Sequence, residues 1–61
     1  MLSGKELKIK RIVLDIRANE LAEMLGISKS YISLMENGGR KIPSHIYERW
    51  IEILGIKNKL N

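Results

Sequence analysis

No stretch of this chain restricts its fold more than Glu20–Ser33, which reads Glu-Leu-Ala-Glu-Met-Leu-Gly-Ile-Ser-Lys-Ser-Tyr-Ile-Ser. Leu21, Ala22 and Leu25 share one helix face, and Gly26 then offers a residue that enters left-handed backbone cheaply. Ser28 is a good N-cap for a following helix, with Ile32 and Met35 turned inward. Two short helices that cross steeply need a small residue where their backbones approach, and Ala22 supplies it. Ile27 plugs the corner between them.

The rest of the chain reads as further helices around this corner. Ser3-Gly4-Lys5-Glu6 has the S-x-x-E form of a capping box, which predicts a first helix running to about Val13. Leu7, Arg11 and Leu14 recur on it at helical rather than alternating spacing. A second helix is expected over about 18–25 and a third over about 28–37, with Gly38 as its stop. Gly39-Arg40-Lys41-Ile42-Pro43 reads as a loop. Ser44 is expected to cap a fourth helix, on which Ile46, Tyr47, Trp50, Ile51, Ile53 and Leu54 fill an arc of roughly 160°. Gly55 is expected to close that helix, leaving a strap or one more turn. Ile9, Ile12 and Val13, continued by Ile16, make a second apolar stripe on the first helix. Either the tail residues Ile56 and Leu60 cover that stripe or another chain does. The fold class is all-α: a small four- to five-helix bundle, one domain over residues 1–61.

With 61 residues and no cysteine, such a domain lies near the lower limit at which packing alone holds a fold. The lack of cysteine fits a reducing compartment. Charged residues interrupt the chain from Lys5 onward, and no apolar run approaches a membrane span. A cytoplasmic protein without a membrane partner is therefore expected. Eleven Lys and Arg against seven Asp and Glu leave a net charge of +4. That balance favours anionic partners, nucleic acid before a membrane surface. His45 has no second histidine or cysteine to complete a metal site, and no cofactor or small-molecule ligand is expected. No nucleophile–base pair is evident, which argues against an enzyme.

On a helical wheel Lys29, Ser30, Ser33, Leu34 and Asn37 share the outward face of the third helix, with Tyr31 at its margin. No acidic residue falls in that arc. A hydrogen-bonding face without carboxylates suits a groove lined by phosphates.

Arg11, Glu20-Leu21-Ala22, Leu25-Gly26-Ile27-Ser28, Ile32-Ser33, Glu36-Asn37-Gly38 and Pro43 occur in this order. In these residues the chain resembles the Cro/repressor-type (Xre) helix-turn-helix proteins of phages, plasmids and bacterial chromosomes. The resemblance covers roughly Leu7 to Gly55. It implies a lambda-repressor-like bundle of five helices, the third entering the major groove of DNA. A fifth helix is expected here as at most a stub. The resemblance also implies an ion pair between Arg11 and Glu36, tying the first helix to the end of the third.

Three departures from the family pattern lie together. Asp15 stands where relatives place glycine, Arg17 where they place a small hydroxyl cap, and Ala18 where they place a phosphate-contacting glutamine. That contact cannot be carried over to Ala18, so Arg17 becomes the phosphate candidate. Asp15 is expected in a left-handed conformation, which aspartate tolerates better than most residues.

Lys29, Ser30, Ser33 and Leu34 are thus the candidates for base edges. Leu34 either meets thymine methyls or is a lone exposed leucine. The phosphate candidates are Arg17, Tyr31, Asn37, Arg40 and Lys41. For Asn37 the other reading is a helix C-cap, and for Arg40 and Lys41 a solvated loop. The expected function is sequence-specific binding of a double-stranded DNA operator, as a repressor, with a homodimer forming at least on DNA. Tyr47, Ile51 and the tail from Ile56 to Leu60 are the pairing candidates. The rival reading is an antitoxin-like or regulator-binding interaction module on the same fold.

Overall fold

The computed structural model of the chain describes the backbone of residues 1–60 and the side chains of residues 1–55. It holds four helices, α1 (Gly4–Val13), α2 (Ala18–Leu25), α3 (Lys29–Glu36) and α4 (Ser44–Leu60), and no strand among the described residues. α1 starts in a capping box. The Ser3 Oγ accepts from the Glu6 N–H at 3.2 Å, and the Glu6 carboxylate accepts from the Ser3 N–H at 3.0 Å. The Ser3 amide, and after it the Ser3 hydroxyl, hold the Glu6 carboxyl below its ordinary range. The box is therefore complete at neutral pH and is lost as pH falls through that lowered value.

α1, α2 and α3 all stop in the same way. A left-handed residue follows each end within two positions: Asp15 at φ 59°, Gly26 at φ 70° and Gly38 at φ 81°. Asp15 N–H donates to Ile12 O at 2.9 Å and Ile16 N–H to Arg11 O at 3.0 Å. The matching pairs are Gly26 to Glu23 and Ile27 to Ala22, then Gly38 to Met35 and Gly39 to Leu34. This Schellman pairing satisfies carbonyls that a helix end leaves open. Asp15 bears a steric cost of about 1–2 kcal/mol that the two glycines avoid. Asp15→Gly is expected to raise stability by roughly 0.5–1 kcal/mol, once the larger unfolded-state entropy of glycine is subtracted. A higher urea midpoint at unchanged slope would show it.

The turn at Asp15 also corrects the sequence reading of Ile16. Reversing the chain there carries Ile16 away from the outer stripe and into the core, where it is 3% exposed. Ile9, Ile12 and Val13 remain outside at 52, 56 and 76%. Whether Ile56 and Leu60 cover them is a question that lies outside the described side chains.

Two expectations for α4 also change. Ser44 is its first helical residue rather than its cap, because the Pro43 carbonyl accepts from Ile46 N–H at 3.1 Å and Tyr47 N–H at 2.9 Å. Proline has the carbonyl this position needs and lacks an N–H the helix does not use. Gly55 does not close α4, which runs on to Leu60 as a single helix. Gly55 lacks the left-handed φ of a stop, and an interior glycine costs a helix only about 1 kcal/mol. The bundle therefore has four helices, without a separate fifth among the described residues.

α3 packs on α1 and α2, and α4 packs on α2. Leu7, Leu21, Ile32, Met35 and Trp50 are fully buried between them, and Ala22 lies in the core at 4% exposure. The Trp50 Nε1 has no hydrogen-bond partner among the described residues. The large apolar area of the ring outweighs the about 1–3 kcal/mol that one orphaned donor costs. The N-terminal arm is fastened to α4 where Leu2 N–H donates to the Tyr47 hydroxyl at 2.9 Å. No helix among the described residues is long and apolar enough to cross a membrane.

Candidate nucleic-acid interface

The site begins with how α3 is aimed. Ser28 caps it, its Oγ accepting from Tyr31 N–H at 3.1 Å. Ile32, Met35 and Glu36 face the core. That orientation leaves Lys29, Ser30, Ser33, Leu34 and Asn37 exposed along the opposite face, and Tyr31 half-buried at its edge. Leu34 is 47% exposed.

Glu36 is the one acid of α3, and it is removed from this surface. Arg11 Nε donates to its Oε2 at 2.8 Å and Nη2 to its Oε1 at 3.2 Å, with both residues buried. Arg11 Nη1 also donates to the Ile16 carbonyl at 2.8 Å. One guanidinium thus ties α1 to the end of α3 and to the turn after α1. The bidentate geometry satisfies both charges where little water reaches them.

Around the open face the polar groups are pre-set. Asn37 Nδ2 lies 3.4 Å from Ser33 Oγ, a long hydrogen bond in which Ser33 accepts. Accepting this bond leaves the Ser33 hydroxyl proton available to donate elsewhere. Asn37 stands at the C-cap position itself, and Gly38 supplies the left-handed turn beyond it. The Leu34 carbonyl accepts from both Gly39 and Arg40 N–H, which pins the loop against the end of α3. The Arg40 guanidinium sits 5.8 Å from the centroid of the Tyr31 ring, a cation–π distance that sequence spacing gave no means to foresee. Lys41 is exposed beside it.

Arg17 lies at the other end of the corner, exposed at the start of α2. Its side chain caps nothing; the cap is made by the Glu20 carboxylate, which accepts from Arg17 N–H at 2.9 Å. Exposed cations thus stand at the start of α2 (Arg17), at the start of α3 (Lys29) and in the loop after α3 (Arg40 and Lys41).

Gly4 escaped the sequence reading as a structural determinant. A Cβ there would fall on the Met35 carbonyl oxygen and lie 3.0 Å from Glu36 Cα. α1 can approach the end of α3 this closely because that Cβ is missing. The sequence signal was a glycine inside the first turn of a helix, where alanine is the better helix former. Among the described residues no cluster of metal-ligating side chains occurs.

No curated protein and no solved structure matches the chain closely enough to add to these observations. A family profile described as helix-turn-helix matches residues 7–57, a span that takes in α1, the α2–α3 corner and most of α4. The chain thus belongs to the Cro/repressor-type (Xre) helix-turn-helix family of DNA-binding transcriptional regulators.

Proposed function

We propose that this protein is a repressor that binds a double-stranded DNA operator of a phage, plasmid or bacterial operon and blocks polymerase there. The observation that carries the reading is the acid-free, exposed face of α3, from which the helix's one carboxylate is withdrawn into an ion pair with Arg11. In this reading Lys29, Ser30, Ser33 and Leu34 touch base edges. Arg17, Tyr31, Asn37, Arg40 and Lys41 hold phosphates, the Tyr31 ring keeping the Arg40 guanidinium in place. The role is one of binding in the cytoplasm, with no catalytic step, cofactor or small-molecule ligand.

Two copies act together, because one α3 reads only a few base pairs. Two-fold pairing sets the reading helices about 34 Å apart, matching half-sites one turn apart. Of the described pairing candidates, Ile51 is 37% exposed, whereas the Tyr47 hydroxyl is engaged with Leu2.

Anisotropy titrations on operator and scrambled DNA across several salt concentrations test the division of labour. Leu34→Ala and Ser33→Ala are expected to change which sequence is preferred, each lost base contact being worth roughly 1–3 kcal/mol. Lys41→Ala and Arg40→Ala are expected to weaken operator and scrambled DNA alike and to lower the salt slope by about one. The same pattern from Leu34→Ala and Lys41→Ala would end the assignment of α3 as the reading element. The mass of the saturated complex should correspond to two chains per operator.

A second reading, an interaction module, draws support from the exposed Ile9, Ile12 and Val13. Polar replacement of these three separates the two: full operator binding by the variant leaves the repressor reading in place.

A further inference from the structure

The close approach that Gly4 permits has an electrostatic effect outside α3. Lys5 and Lys8 stand three residues apart, on one side of α1. Because the first turn of α1 abuts Met35 and Glu36, that side opens beside the end of α3. A shallow recess there is lined by Lys5 and Lys8 together with Asn37 and Gly38. Arg40 and Lys41 line a second recess at the same α3 end, which shares Ser3, Gly4 and Gly38 with the first. Both recesses at the C-terminal turn of α3 are therefore lined by cations.

The acids that could neutralise Lys5 and Lys8 are committed elsewhere. Glu36, which also borders the recess, is paired with Arg11, and Glu6 is held in the capping box. Among the described residues neither lysine has a carboxylate within ion-pair reach. Lys8 is half-buried all the same, and Ile9 and Ile12 border the recess where long lysine stems can rest.

We infer that Lys5 and Lys8 grip the DNA backbone at two neighbouring phosphates beside Asn37, making the first half of α1 a third phosphate-holding edge of the protein. The inference rests on the DNA-binding reading above and adds to it a contact from outside the α2–α3 corner. An α-helix seated in the major groove has phosphates on both flanks. Arg40 and Lys41 serve one recess at the end of α3, and Lys5 and Lys8 the other. The contact is blind to sequence, since it touches no base.

The test compares two double variants of the full chain that remove equal charge. Lys5→Gln/Lys8→Gln empties the recess. Lys10→Gln/Arg49→Gln removes two exposed cations that lie elsewhere, on the other side of α1 and on α4. Both are titrated by anisotropy against a duplex that the parent chain selects from random sequence, which stands for the operator, and against its scrambled counterpart at several salt concentrations, with thermal melts recorded alongside. The first variant is expected to lower the salt slope by about two on both duplexes. About tenfold of the affinity loss between about 50 and 200 mM salt should then disappear, with the preferred sequence unchanged. The second should leave the slope near that of the parent. Equal slopes for the two variants would reduce the effect to net charge and overturn the inference, and so would a first variant that keeps the parent slope. A parent chain that binds neither duplex at low salt would instead overturn the DNA-binding reading itself.

Discussion

Arg11→Met is expected to unfold the protein under conditions in which the parent is folded. The substitution keeps much of the apolar bulk but leaves the Glu36 carboxylate buried without a counter-charge. It also frees the Ile16 carbonyl, which Arg11 Nη1 holds at 2.8 Å. Breaking one side of a buried pair costs about 3–5 kcal/mol. Domains are stable by only about 5–15 kcal/mol, and one of 61 residues belongs near the lower end. Urea unfolding followed by circular dichroism measures the loss directly. The double variant Arg11→Met/Glu36→Leu should recover most of it, since a buried ion pair replaced on both sides by apolar groups is often neutral. A single variant as stable as the parent would show that the pair bears none of the weight given to it. A double variant no better than the single would move the cost from the stranded charge to the Ile16 turn.

The second large effect is one that helix propensity gets wrong in sign. In an isolated helix, Gly4→Ala would stabilise α1, by at most about 1 kcal/mol at this first position. Here the added methyl meets backbone, with the Met35 carbonyl carbon at 2.9 Å and Glu36 Cα at 3.0 Å. Neither can rotate aside as a side chain would, so α1 must lift away from α3. Overpacking of this kind costs typically about 1–3 kcal/mol, and a backbone neighbour puts it at the upper end. Lifting α1 also strains the Arg11–Glu36 pair, so Gly4→Ala should lower operator affinity in the protein that remains folded. Denaturant melts and anisotropy titrations of this variant check both effects. A melt at or above the parent midpoint would show that the two backbones separate without cost.

The two predictions divide along the line between what is local in the chain and what is not. Helix starts and stops are short-range matters, and the residues that make them lie within six positions of one another. Ser3 with Glu6, Gly26 with Glu23, and Gly38 with Met35 are such pairs, and they were legible as capping and stop signals. So was the outward face of α3, because a helix with Ile32 and Met35 inward has only one way to point Ser33 and Leu34. Local signals also misled. Gly55 resembles a stop, but a glycine stops a helix only when its backbone turns left-handed, and nothing in the residues beyond it demands that turn. Ile16 continued the outer stripe on paper, and the reversal at Asp15 sent it inward.

By itself, the sequence determined the all-helical class, the corner between α2 and α3, and the acid-free composition of the α3 face. These follow from periodicity, from capping and from backbone freedom at single residues, all of which act over a few bonds. The tertiary structure alone decided that Gly4 lies against Met35, that the Arg40 guanidinium lies over the Tyr31 ring, and that Lys5 and Lys8 border Asn37. Those contacts join residues nine to thirty-two positions apart. Their geometry depends on how deeply each helix sinks into its neighbour, and side-chain volumes across the whole core set that depth together.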